Sequence, residues 1–255
     1  MKNQLTAPLA EADAPARLLT KPVARRSFLR YTGTGLALGG LMLAGCDNDD
    51  PEIDPNANRL DVGSGDTGIL NYAYALEQLE AAFYTQVVAG GAGSYFATAS
   101  AAEKAILTDL RDHEVIHREF FKAALGSAAI KQLEVDFSSI DFNLRAAATG
   151  ATRMGVLDAA KAFEDLGVAA YNGAGRFISS NDNLVLAGKI VSVEARHAAL
   201  IRELLTPNTF VADDVVEISG PNARGTERSK RPQVVLETAN NFLAAGSKLS
   251  ANSFV

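Results

Sequence analysis

DHEVIH at residues 112–117 and EARH at 194–197 share one spacing: Glu114 stands three residues before His117, and Glu194 three before His197. A three-residue step in an α-helix returns to nearly the same face, so each pair sets a carboxylate beside an imidazole. Both pairs lie on apolar stripes. Leu107, Leu110, Glu114, His117 and Phe121 align in the first; Ala187, Ile190, Glu194, His197 and Ile201 align in the second. Upstream of each pair the same prelude appears. Glu77 precedes Tyr84 by seven residues, and Glu164 precedes Tyr171 by seven. Ala73 shares a face with Glu77, and Leu157, Ala160 and Val168 share one with Glu164.

These stripes define four amphipathic helices. The first runs from Gly68 to about Val88 and ends in a glycine-rich turn. The second starts at Ser100, where SAAE puts Glu103 in capping-box position, and stops at Leu125 before Gly126. The third fits about Arg153 to Ile178. The fourth begins near Asn181-Asp182 and ends at Leu205, before Thr206-Pro207. Short links make each successive pair an antiparallel hairpin. Residues 126–150 form a longer link that can run the length of a bundle. The expectation is an all-α four-helix bundle over 68–205 with a crossover between its second and third helices. Residues 206–255 form a C-terminal extension with a short helix after Pro232.

Each helix thus carries a carboxylate where leucine belongs. An ionised carboxylate buried without a partner costs several kcal/mol after relaxation, so four of them require cations. Four carboxylates with two imidazoles match two divalent ions. Glu80 lies on the same face as Glu77 and competes with it; the parallel with Glu164 and Tyr171 favours Glu77, leaving Glu80 as a substitute or an outer group. Tyr84 and Tyr171 are positioned to hydrogen-bond the opposing carboxylates or supply an electron, or simply to fill the core.

LEQLEAAFY, DHEVIH, FEDLGVAAYNGA and EARHAALIREL together resemble the ferritin-like domain of secreted and lipoprotein bacterial proteins, related to the desiccation-associated group. The resemblance covers residues 68–205 and implies a di-metal bundle, with iron first and manganese second. The hypothesis for the cluster makes Glu114 and Glu194 bridges and His117 and His197 terminal ligands, with Glu77 and Glu164 completing each ion. O2 or peroxide is then the expected small oxidant. A non-catalytic, metal-stabilised structural or stress-protective bundle is the alternative.

His113, Glu114 and His117 also satisfy His-Glu-x-x-His, the zinc-hydrolase spacing with Glu as general base. That reading needs a third ligand, for which only the distant Glu134 offers itself, and it leaves Glu77, Glu164 and Glu194–His197 unexplained. His113 is better read as a surface or outer group beside the cluster.

The front of the chain reads as an address. ARRSFLR at 24–30, followed by a Gly-rich, mildly apolar stretch to Gly45, resembles a twin-arginine export signal with Arg25 and Arg26 as its pair. LAGC at 43–46 resembles a lipobox, and Cys46 is the single cysteine, so no internal disulfide framework exists. Residues 1–45 are read as signal and 46–67 as a flexible tether. The expected partners are the export machinery and a membrane reached through a lipid on Cys46, placing the protein in the periplasm or at the cell surface, at the inner membrane. The net charge of −6 includes a basic leader, so the body is more acidic still and offers nucleic acid little attraction.

Overall fold

In a computed structural model of the chain, residues 58–221 and 223–255 are described. Arg25, Arg26 and Cys46, with the export and lipidation readings, lie outside them. The elements are β1 (Leu60–Asp61), α1 (Gly65–Val88), α2 (Tyr95–Thr98), α3 (Ala101–Leu125), α4 (Val156–Ala174), α5 (Asn181–Leu205), α6 (Pro232–Ala239) and β2 (Leu249–Ser250). The fold is all-α in class, with α1, α3, α4 and α5 as its four long helices. None of the described helices is long and apolar enough to cross a membrane.

Capping chemistry sets the helix ends. The Ser100 hydroxyl accepts from the Glu103 amide at 3.1 Å, starting α3, and Gly126, at φ +54°, stops it in a conformation that side chains resist. α4 is shorter at both ends than the 153–178 expected. Its start is fixed by Asp158, whose carboxylate accepts from the amides of Gly155 and Ala147. Past Ala174 the chain tightens into a 3-10 turn over Gly175–Phe177, and α5 begins at Asn181. There Asp66 of α1 accepts from the Ser179 and Ser180 amides and from the Asn183 side chain.

Polar contacts between helix ends give the topology. Asp66 ties the start of α1 to the start of α5, so these helices run in parallel. Asn71, early in α1, bonds Ala128 beyond the end of α3, so α1 and α3 are antiparallel. Tyr84 meets Glu164 while Glu77 meets Tyr171, so α4 also opposes α1. α3 and α4 therefore point the same way, and the link between them must traverse the bundle.

That link climbs α1 on two buried amides seven residues apart. Asn71 accepts from the Ile130 amide at 2.9 Å and Gln78 from the Leu133 amide at 2.9 Å. Higher up, Phe137 and Phe142 pack on Phe83, and the Tyr95 amide donates to the Phe142 carbonyl. Short hydrogen-bonded satisfaction of the link's backbone is what makes a long irregular segment tolerable against a core.

The tether reading needs correction at its end. Residues 60–67 belong to the folded body: Val62 is buried, and Leu60–Asp61 pairs in parallel with Leu249–Ser250. The extension is likewise integral. α6 and the turn after it place Phe242 against Phe163 at 4.7 Å, and Val135 of the crossover bridges to Leu243. Residues near 214 cover buried Arg202, which grips Asp165 with two hydrogen bonds and Asp214 with two more.

Candidate metal centre

Glu77, Glu114, Glu164 and Glu194 are each 0% exposed, at mid-length of four different helices. Their neighbours along each stripe are Leu, Ile, Phe and Ala, which drive the faces inward and carry the carboxylates with them. His197 is buried and His117 nearly so.

The atoms form two overlapping sets. Nδ1 of His117 lies 3.4 Å from Glu77 Oε2, 3.4 Å from Glu114 Oε2 and 2.9 Å from Glu194 Oε1. Nδ1 of His197 lies 2.8 Å from Glu114 Oε1, 3.5 Å from Glu164 Oε2 and 3.4 Å from Glu194 Oε2. Each set gathers one imidazole and three carboxylates within reach of a single ion. Glu114 and Glu194 belong to both.

The outer oxygens are accounted for separately. Tyr84 donates to Glu164 Oε1 at 2.6 Å, and Tyr171 donates to Glu77 Oε1. Each tyrosine comes from the half of the bundle opposite its carboxylate. Glu77 and Glu164 therefore present one oxygen to a phenol and the other to the cluster, while Glu114 and Glu194 present both inward.

Whether these residues fit a metal pair can be tested on hydrogen bonding. Among the described residues, the buried side-chain atoms without a hydrogen-bond partner include Glu77 Oε2, both oxygens of Glu114, Glu164 Oε2, both oxygens of Glu194, and Nδ1 of His117 and of His197. Native interiors leave few such atoms. These are the same atoms that compose the two sets. An oxygen- and nitrogen-rich pocket whose inward atoms face only one another fits two hard-to-intermediate divalent ions.

Electrostatics agree. Burial pushes Glu77 well above the ordinary carboxylate range and Glu164 up to about 8. Burial acts upward on Glu114 too, but the adjacent imidazoles of His117 and His197 outweigh it and hold it down to about 2. Against burial, the facing carboxylates raise both imidazoles to about 12. In the metal-free cluster, protons on the two histidines thus stand where cations would.

Glu80 is buried but stands outside both sets. It lies on α4's side, 3.0 Å from where a Cβ at Gly167 would sit, so the glycine makes its room. The zinc-hydrolase spacing does not assemble. His113 is in neither set, and Glu114 is a member of both and no free base. His113 Nδ1 instead lies 2.9 Å from Nε2 of His197, with the rings stacked, while Glu134 is held on the crossover by Ser247 and Ala244.

Buried Asn71, Gln78 and Arg202 were not foreseen from the sequence. The first two had a signal, a pair of amides seven residues apart on a largely apolar helix; Arg202 had none.

Four long helices, a crossover of this kind and a carboxylate–imidazole cluster at mid-bundle define a helical bundle of ferritin type with a candidate metal site. The chain belongs to the ferritin-like family: the model of the ferritin-like domain matches residues 65–207, more than half its length. Among curated proteins, none matches the chain.

Proposed function

We propose that the bundle holds two metal ions, iron first and manganese second, and uses them in redox chemistry with O2 or peroxide. The observation that carries the reading is the set of buried, unpartnered atoms, which divides into two four-residue groups sharing Glu114 and Glu194. Glu77 and His117 would complete one ion, Glu164 and His197 the other. Bound iron or manganese supplies one-electron chemistry toward a small oxidant. The chain's own residues hold and shield that chemistry. Tyr84 and Tyr171 fix the outer oxygens of Glu164 and Glu77, and His113 orients His197 through its distal nitrogen, as outer partners of metal ligands commonly do.

The N-terminal features support a wider setting: a twin-arginine signal at Arg25-Arg26 and lipidation at Cys46 would place the bundle outside the cytoplasm, tethered to a membrane. Folded export suits a metalloprotein loaded beforehand. The resemblance to the desiccation-associated group would suit a role in oxidative or desiccation stress.

The test is anaerobic titration with Fe(II) followed by air. Two equivalents bound and a ferric absorbance on oxygenation are the expected result. Two ions held with no response to air or peroxide would assign the metals a purely structural role, and no uptake would refute the centre.

A further inference from the structure

Toward the end where α1 begins, a cleft opens between the four long helices. Phe120 and Leu186 form its exposed lips, at 37% and 38% exposure. Ala73 and Ala187 create its space by their small size, and Tyr171 lines it from α4. That phenol is the one that donates to Glu77. One side chain therefore separates the cleft from a member of the metal-ligand set.

Size and chemistry restrict the occupant. The interior offers about 40 Å3 to the centre of a water-sized molecule, where one water needs roughly 10–15 Å3. The enclosed interior itself takes only a few heavy atoms, and a larger molecule would lie partly in solvent. Water is also poorly served, since it needs about two to four polar partners and the lining is almost wholly apolar. Tyr72 is the lining residue with an unpaired hydroxyl. What remains is a small apolar molecule, held by dispersion and by its poor solvation in water.

We propose that this cleft binds dioxygen and delivers it to the cluster past Tyr171. The inference rests on the oxygen-reactive reading of the centre and adds a route to it. A polar oxidant would instead approach from the side where His113 is exposed and His117 is 13% exposed.

Xenon is the direct probe, because apolar cavities take it up. Crystals of the metal-free protein pressurised with xenon should show it between Ala73, Ala187 and Tyr171; xenon absent from the cleft would overturn the proposal. Ala187→Leu, at the half-exposed rim, should fill the space. It should abolish xenon binding and slow air oxidation of bound Fe(II) by about tenfold, while Fe(II) stoichiometry and oxidation by added peroxide stay as in the parent. Ala124→Leu, on an exposed position of α3 that also lines the cleft, provides a second variant should the first not fold. A filled variant that loses xenon yet oxidises in air at the parent rate would refute delivery. Parent protein that binds no Fe(II) would remove the reading of the centre, and with it delivery, whereas the xenon result would still report on the cleft itself.

Discussion

Glu114 and Glu194 face each other across the bundle and each spans both halves of the cluster. Glu114 puts Oε2 3.4 Å from His117 and Oε1 2.8 Å from His197; Glu194 puts Oε1 2.9 Å from His117 and Oε2 3.4 Å from His197. Glu77 and Glu164 reach one side only. The roles should separate on mutation. Glu114→Gln combined with Glu194→Gln is expected to abolish uptake of both ions. Glu77→Gln alone should weaken one ion and leave the other, lowering the stoichiometry toward one. Metal analysis after equilibrium dialysis measures this, and a double variant that retains two ions would refute the shared-bridge geometry.

Tyr84 and Tyr171 each satisfy an oxygen of a fully buried carboxylate. Removing one partner from a buried pair leaves the other unsatisfied, at roughly 1–3 kcal/mol. Tyr84→Phe and Tyr171→Phe should each lower the stability of the metal-free protein by that order, read from denaturant midpoints. Wild-type midpoints for both would show that these phenols merely fill the core.

The cluster was legible in the sequence because its signal is local. Glu and His three residues apart on an apolar stripe can be recognised from helical periodicity alone, and the seven-residue echo from Glu to Tyr pointed to Glu77. Why Glu80 stands aside is not local: it depends on Gly167 of another helix leaving room. The same limit hid Arg202, which sits beside the stripe residue Ile201 and is stabilised by Asp165 and Asp214 from elsewhere in the chain. Pairing of Leu60 with Leu249 was equally invisible, since two-residue strands at opposite ends carry no pattern of their own. Helix ends were read well where a residue stops the backbone, as at Gly126, and poorly where a distant side chain caps it, as Asp158 does for α4.

Acidity should move the metal-free and metal-bound proteins in opposite directions. In the metal-free state Glu77, Glu164, His117 and His197 all have raised pKa values. A raised group gives stability that is complete below its unfolded value and is lost as pH climbs through the folded one. For Glu164 that window runs from the ordinary 4.5 to about 8, and for the histidines from 6.5 to about 12. Glu114, held down to about 2, works the other way, its contribution being lost as pH falls below 4.5. Chelated protein should therefore have its highest Tm near the carboxylate range and lose stability from about pH 5 to 8. Metals compete with those protons, so uptake should release protons and the Tm gained on loading should widen over the same interval. Thermal scans with chelator and with metal decide this; a chelated Tm that rises toward pH 8 would contradict it.

Asn240 is where the extension is locked to the bundle. Its side chain donates to the Leu249 carbonyl at 2.9 Å and accepts from the Leu249 amide at 2.7 Å, all of it buried. The flanking residues of that strand serve β1 instead, the Lys248 carbonyl accepting from Leu60 and the Ser250 carbonyl from Val62. One amide side chain thus closes the inner edge of a two-stranded ribbon whose outer edge anchors the chain's entry into α1. Asn240→Ala would leave a buried N–H and a buried C=O without partners, at roughly 1–3 kcal/mol for each. The midpoint of chemical denaturation should fall accordingly. Metal stoichiometry should not change, because no residue of the extension belongs to either ligand set. Loss of metal in this variant would mean that the extension shapes the cluster as well as covering the bundle.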